Sequence, residues 1–220
     1  MDFLATFVAY LIGSMPMGYI FVKLFKRQDI TKVGSGRTGG TNAMRAGGVW
    51  VGILTAVFDI LKGFLSVSIA RMLVPASVWI QVAAGVAAVI GHNWSIWIYF
   101  LTKKFAAGAG TGPNVGAAMV FWPGVLWVGI PIILIFVFVV GYASVASIAT
   151  AIALVIVFAV RAVILGDPWQ YIIYSGLTAM MVIIALLPNL KRLIEGTERR
   201  VGLFAKRKQP YSSSSSSSSS

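Results

Sequence analysis

The sequence predicts an all-α protein, a polytopic bundle of seven transmembrane helices with its amino terminus outside and its carboxyl terminus in the cytoplasm. Three observations carry this reading. Of 220 residues, 58% are hydrophobic and only 11% charged, and the apolar residues come in long runs along almost the whole chain. Glycine and proline punctuate those runs at intervals suited to membrane crossings. The 18 lysines and arginines, against six acidic residues, sit at the ends of the runs. That placement fits the positive-inside rule and an anionic lipid or substrate, not nucleic acid.

The first crossing is read at residues 3–25, interrupted by Gly13, Pro16 and Gly18, which kink a helix or admit a close neighbour. It lacks a basic leader and a small-residue cleavage site, so it reads as a retained helix and not as a signal peptide. Residues 49–73 form the second crossing, with Asp59 and Lys62 three apart on one face, where they can pair. The third, residues 78–101, carries Gly91-His92-Asn93-Trp94. A small-residue loop, 103–114, follows. The apolar stretch 115–187 then divides at Pro123-Gly124, Gly141-Tyr142 and Gly166-Asp167-Pro168 into four crossings of roughly 18 residues each, short but long enough. This count places both ends of the basic pattern on one side, with only Lys62, Arg71 and Arg161 off it. Residues 1–203 thus form one integral membrane domain. Residues 204–220 are a basic, then serine-rich tail, expected to be disordered because the run Ser212–Ser220 buries nothing.

No cysteine and a single histidine exclude disulfides, thiol nucleophiles and Cys- or His-rich metal sites. The chemistry concentrates instead in residues 33–48, VGSGRTGGTNAMRAGG, read as a phosphate-handling loop at the membrane surface. Glycines free backbone N–H groups for anions. Ser35, Arg37, Thr41, Asn42 and Arg45 add side-chain donors, and Gly34, Gly36 and Gly39 supply the flexible backbone. The run also satisfies a dinucleotide fingerprint and nearly a P-loop. Both need a preceding buried strand, and none is visible. Asp59, Lys62 and His92 read most simply as structural, buried polar groups within membrane helices.

Taken in order, these motifs resemble the bacterial acyl-phosphate:glycerol-3-phosphate acyltransferases, which make lysophosphatidate in phospholipid synthesis. Gly34, Ser35, Gly36, Gly39, Thr41, Asn42 and Arg45 match the family's first glycine motif. Asp59, Lys62 and Gly63 match its DxxKG, and Gly91-His92 its GH. Tyr142, Ser144, Ala146 and Ser147 match its tyrosine–serine turn, and Asn189, Arg192, Leu193, Gly196 and Glu198 its closing motif. The resemblance implies a multi-pass enzyme of the bacterial inner membrane with its site on the cytoplasmic face. Its substrates would be acyl phosphate and glycerol-3-phosphate, with anionic phospholipid around it and neither cofactor nor metal. Ser35, Arg45 and Asn189 would be catalytic. The loop glycines, Arg37, Thr41, Asn42, Ser144 and Ser147 would bind substrate phosphate. Asp59, Lys62, His92 and Glu198 would support them.

The chain departs from that pattern where charge matters. The family's substrate-binding lysine is Ala109 here, a histidine before the closing asparagine is Leu186, and an asparagine of the first motif is Arg37. A second reading follows from these departures: a catalytically silent member serving as a structural or lipid-binding subunit of a larger membrane complex. Arg37, Lys103 and Lys104 are the candidates for replacement charge.

Overall fold

The computed structural model describes residues 1–103 and 108–201, apart from the side chain of Phe138. Lys104 and the expected tail, 204–220, lie outside them. Among the described residues the regular structure is entirely helical. Helix α1 (Asp2–Ser14) and α2 (Met17–Lys26) form one apolar segment broken at Met15–Pro16, because Pro16 has no N–H to continue the ladder. Helices α3 (Gly40–Gly47) and α4 (Val49–Leu73) follow, then α5 (Val78–Asn93) and α6 (Ile96–Thr102). The second half comprises α7 (Thr111–Phe121), α8 (Val125–Ile135) continued by a π-helical turn (Phe136–Val140), α9 (Ala143–Leu165) and α10 (Gln170–Ile194). The expected breaks at Pro123-Gly124, Gly141-Tyr142 and Gly166-Pro168 all fall between helices.

Among the described residues four segments are long and apolar enough to cross a membrane: Asp2–Lys26, Val49–Leu73, Ala143–Leu165 and Gln170–Ile194. Three expectations are corrected. The third apolar run is not one helix: the chain turns at Trp94, and Ser95 starts α6 by accepting from the Ile98 N–H at 3.2 Å while donating to Ser14 O at 2.6 Å. The glycine loop contains a helix, α3, which packs along α4 with Gly40 against the Gly52 carbonyl. Residues 111–114, read as loop, are the first turn of α7.

The packing is inverted relative to a water-soluble protein. Trp50, Trp127, Val163 and Ile164 are exposed, whereas Asp59, Lys62, His92, Asn114 and Thr178 are buried. Inside, small residues let backbones meet. A Cβ on Gly13 would collide with the Ala88 backbone, and one on Gly91 with the Tyr10 carbonyl, so α1 and α5 are in direct contact. Gly63 and Gly116 bring α4 and α7 together in the same way, against Pro113 and Ile60. An aromatic core of Phe121, Phe158, Tyr171 and Tyr174 closes the other side, with the Tyr174 hydroxyl 2.8 Å from the Asn114 carbonyl and carboxamide oxygens. Among the described residues this scaffold encloses a cavity with polar and apolar walls.

Candidate active site

The cavity, about 260 Å³, lies where the glycine loop, α3, α4, α5, the start of α7 and the ends of α9 and α10 converge. Of the residues expected to act, Ser35, Arg37, Gly39, Thr41, Asn42, Arg45, Asp59, His92, Ser144, Ser147, Asn189 and Glu198 line it. Gly34, Gly36 and Lys62 stand behind that wall. Sequence reasoning passed over the apolar lining, Ile60, Val115, Ile133 and Val137, and the α7 turn at Gly110–Gly112. The four apolar residues carry only the signal of ordinary membrane hydrophobicity, and the turn belongs to the small-residue stretch 103–114. Among the described residues no group of His, Asp or Glu gathers to hold a metal.

The loop is held by one side chain. Asn42 Oδ1 accepts from the Ser35 N–H at 3.1 Å, and Nδ2 donates to the carbonyls of Ile30, Val33 and Arg37 at 3.3, 2.9 and 2.8 Å. Asn42, expected on a substrate phosphate, is committed to the loop itself. Gly34 and Gly36 have φ of 58° and 72°, and a Cβ on Gly34 would strike Asn42 Oδ1, so glycine is required there on both counts. The loop delivers the chain into α3, whose Gly39 start has no side-chain cap, and Gly39, Gly40 and Thr41 line the cavity. A helix amino terminus so placed has N–H groups able to meet an anion.

Arginines surround that end. Arg37 Nη2 donates to the Ala185 carbonyl on α10. Arg45 Nη2 reaches the Arg199 carbonyl at 3.5 Å. Burial lowers the pKa of both guanidinium groups below the ordinary value, with Arg192 beside Arg37 and Arg199 beside Arg45 adding to the effect and Glu198 opposing it. An arginine does not deprotonate in response, so this cluster is short of negative charge and suited to a phosphate. Lys103, the other described candidate for replacement charge, is exposed and lies over the Tyr99 ring, 5.6 Å from its centre.

Glu198 organises the opposite wall. Its Oε1 accepts from Asn189 Nδ2 at 2.7 Å and from the Ser144 hydroxyl at 3.4 Å, and Oε2 accepts from Arg192 Nε at 2.9 Å. The Val201 N–H bonds the Gly141 carbonyl at 2.8 Å, strapping this segment to the start of α9. Asp59 and Lys62 pair at 2.9 Å as their spacing predicts, with His92 Nδ1 2.8 Å from the ammonium. Ala109 packs against the apolar cluster that contains Leu186. The two positions where the resemblance expects charge thus belong to one apolar cluster.

Residues 3–196 match the family model for glycerol-3-phosphate acyltransferase. The chain belongs to the glycerol-3-phosphate acyltransferase family. Among similar family members, glycerol-3-phosphate acyltransferase 2 of Moorella thermoacetica is 34% identical over 205 residues, covering 90% of this chain and 97% of the relative. Glycerol-3-phosphate acyltransferase of Trichormus variabilis is 35% identical over 211 residues, covering 89% of each. The fold is similar to the crystal structure of PlsY (YgiH), an integral membrane glycerol 3-phosphate acyltransferase, in its glycerol 3-phosphate form. The TM-score is 0.79 at 30% identity, over 91% of this chain and 96% of that one. Its lysophosphatidic acid form matches with a TM-score of 0.77 at 29% identity. The all-helical fold is therefore that of an integral membrane protein.

Proposed function

We propose that the protein is a membrane glycerol-3-phosphate acyltransferase that takes its acyl group from acyl phosphate and releases lysophosphatidate. The observation that carries this reading is the convergence of Ser35, Arg37, Arg45, Ser144, Asn189 and Glu198 on one cavity in a chain of this family. A hydroxyl oxygen of glycerol-3-phosphate attacks the acyl carbonyl. The new ester C–O bond forms, the acyl–phosphate C–O bond breaks, and the hydroxyl proton leaves with inorganic phosphate, which needs no protein base. Ser35, Arg45 and the amides at the start of α3 hold a phosphate and stabilise the charge that develops on the carbonyl oxygen. Asn189 Oδ1, buried and without a hydrogen-bond partner among the described residues, accepts from the attacking hydroxyl, and Glu198 fixes its orientation. Thr41 and Ser147 contribute hydroxyl donors, and Ser144 does so by turning its proton away from its long, 3.4 Å bond to Glu198. Arg37 supplies the cation that Ala109 and Leu186 do not.

The same reading includes seven crossings, an outside amino terminus and a cytoplasmic site in the bacterial inner membrane, supported by the breaks between helices and the one-sided basic residues. Acyl phosphate and anionic phospholipid reach the site from the bilayer plane. The rival reading, a silent subunit of a larger membrane complex, rests on Ala109 and Leu186, and Arg37 weakens it. Purified protein given acyl phosphate and labelled glycerol-3-phosphate forms labelled lysophosphatidate, and Arg45→Ala abolishes it. Undiminished turnover in that variant would overturn the site assignment. Absence of turnover, with stoichiometric copurification of another membrane complex, would favour the subunit.

A further inference from the structure

The single histidine has its tautomer fixed by its neighbours. The Lys62 ammonium donates to the Met15 carbonyl at 2.8 Å, pairs with Asp59 Oδ1 at 2.9 Å and lies 2.8 Å from His92 Nδ1. An ammonium has donors only, so Nδ1 must accept and the ring proton must sit on Nε2. The other tautomer would point an N–H at the ammonium, and the nearest carboxylate oxygen, Asp59 Oδ1 at 3.6 Å, is too far to receive it. The ring is 5% exposed and lines the cavity. Its Nε2 edge lies against Gly108, where any Cβ would overlap that nitrogen. Among the described residues no hydrogen bond is formed by Nε2, so its N–H is available to a molecule in the cavity that His92 lines.

We infer that His92 is a fixed, neutral hydrogen-bond donor to a phosphoryl oxygen of bound substrate, with the Lys62–Asp59 pair locking its tautomer. This rests on the acyltransferase reading, in which both substrates carry phosphoryl oxygens. It also excludes His92 as the base: Nε2 already holds a proton, and the Nδ1 lone pair faces Lys62. The histidine stands beside the arginine cluster as a donor without charge, one that adds direction and no further cationic repulsion.

Because the chain has one histidine, ¹⁵N-histidine labelling reads this site alone. The expected spectrum has a protonated Nε2 and a lone-pair Nδ1, and the Nε2–H proton moves downfield on adding inorganic phosphate or glycerol-3-phosphate. His92→Asn places its amide near the Nδ1 position, keeping a partner for Lys62 but withdrawing the cavity donor. His92→Gln places its amide near Nε2. The expectation is a loss of about tenfold or more in kcat/KM for His92→Asn at an unchanged unfolding temperature, with most activity kept in His92→Gln. A rise in KM confined to glycerol-3-phosphate assigns the contact to the acceptor's phosphate, and one confined to acyl phosphate assigns it to the donor's. A proton on Nδ1, no response to phosphate, or a fully active His92→Asn would overturn the inference. Absence of turnover in the parent protein would instead sink the acyltransferase reading, while the spectrum would still decide the role of His92.

Discussion

Asn189 Nδ2 donates to Glu198 Oε1 at 2.7 Å, and that bond leaves the other end of the carboxamide as a buried acceptor with no hydrogen-bond partner among the described residues. The orientation of Asn189 is therefore set by a residue nine positions on, which also receives Ser144 and Arg192. Glu198→Gln removes the counter-charge of Arg192 and puts an amide N–H where a carboxylate oxygen accepted. The Glu198 side chain is only 6% exposed, so water does not easily replace what is lost. We expect a loss of about 1–3 kcal/mol of stability, read as a lower unfolding temperature in detergent. Turnover should fall further than stability alone explains, because Asn189 loses its aim. Equal activity in Glu198→Gln and the parent would show that the carboxylate does not orient Asn189.

Asn42 makes a sharper case, because an isosteric change should be worse than truncation. In Asn42→Asp the Ser35 N–H keeps its acceptor, but a carboxylate oxygen then faces the carbonyls of Ile30, Val33 and Arg37 with no proton between them. Asn42→Ala leaves the same carbonyls unpaired without the repulsion. Both should raise KM for the phosphate substrates by distorting the loop, with Asn42→Asp the less stable in thermal unfolding. The reverse order would mean that Asn42 contacts substrate and does not brace the loop.

Arg37 is expected to carry charge that its family supplies elsewhere. Arg37→Ala should raise KM for glycerol-3-phosphate by about tenfold to a hundredfold, the effect of losing a hydrogen bond to a charged group. Arg37→Lys should recover only part, since a point charge cannot reproduce the guanidinium fork that reaches both Ala185 and the cavity. Introducing Ala109→Lys into the Arg37→Ala background should restore binding if charge is what the site lacks. Steady-state kinetics with each substrate varied in turn measures all three.

What was legible in the sequence follows from how local each signal is. Pro123-Gly124, Gly141 and Gly166 end helices through their own backbone chemistry, and the structure breaks at each. The Asp59–Lys62 pair is likewise local, set by helical spacing. Helix α3 was not legible: Gly40 and Gly47 are poor helix formers, and what holds α3 is its contact with α4. The break at Trp94–Ser95 hides within a continuous apolar run, and its reason, the Ser95 bond to the Ser14 carbonyl, joins residues far apart in sequence. The site divides in the same way. Most of the polar residues that line it followed from motifs, but its apolar lining, the engagement of Asn42 with the loop, the reach of Arg37 to Ala185 and the apolar packing of Ala109 near Leu186 are all tertiary.

The glycines between α4 and α7 give the last prediction. A Cβ on Gly63 would run into the Pro113 carbonyl, and Pro113 follows directly on Thr111 and Gly112, which line the cavity. Gly63→Ala must push α7 away from α4 or bend its first turn. Overpacking of this kind costs about 1–3 kcal/mol, so the unfolding temperature should fall, and the shifted turn should lower kcat/KM. Gly176 on α10 is the matched control, since a Cβ there would meet nothing within 4 Å. Gly176→Ala should leave turnover unchanged and raise stability by up to about 1 kcal/mol through helix propensity alone. If the two alanines behave alike, close approach of α4 and α7 does not position the cavity wall.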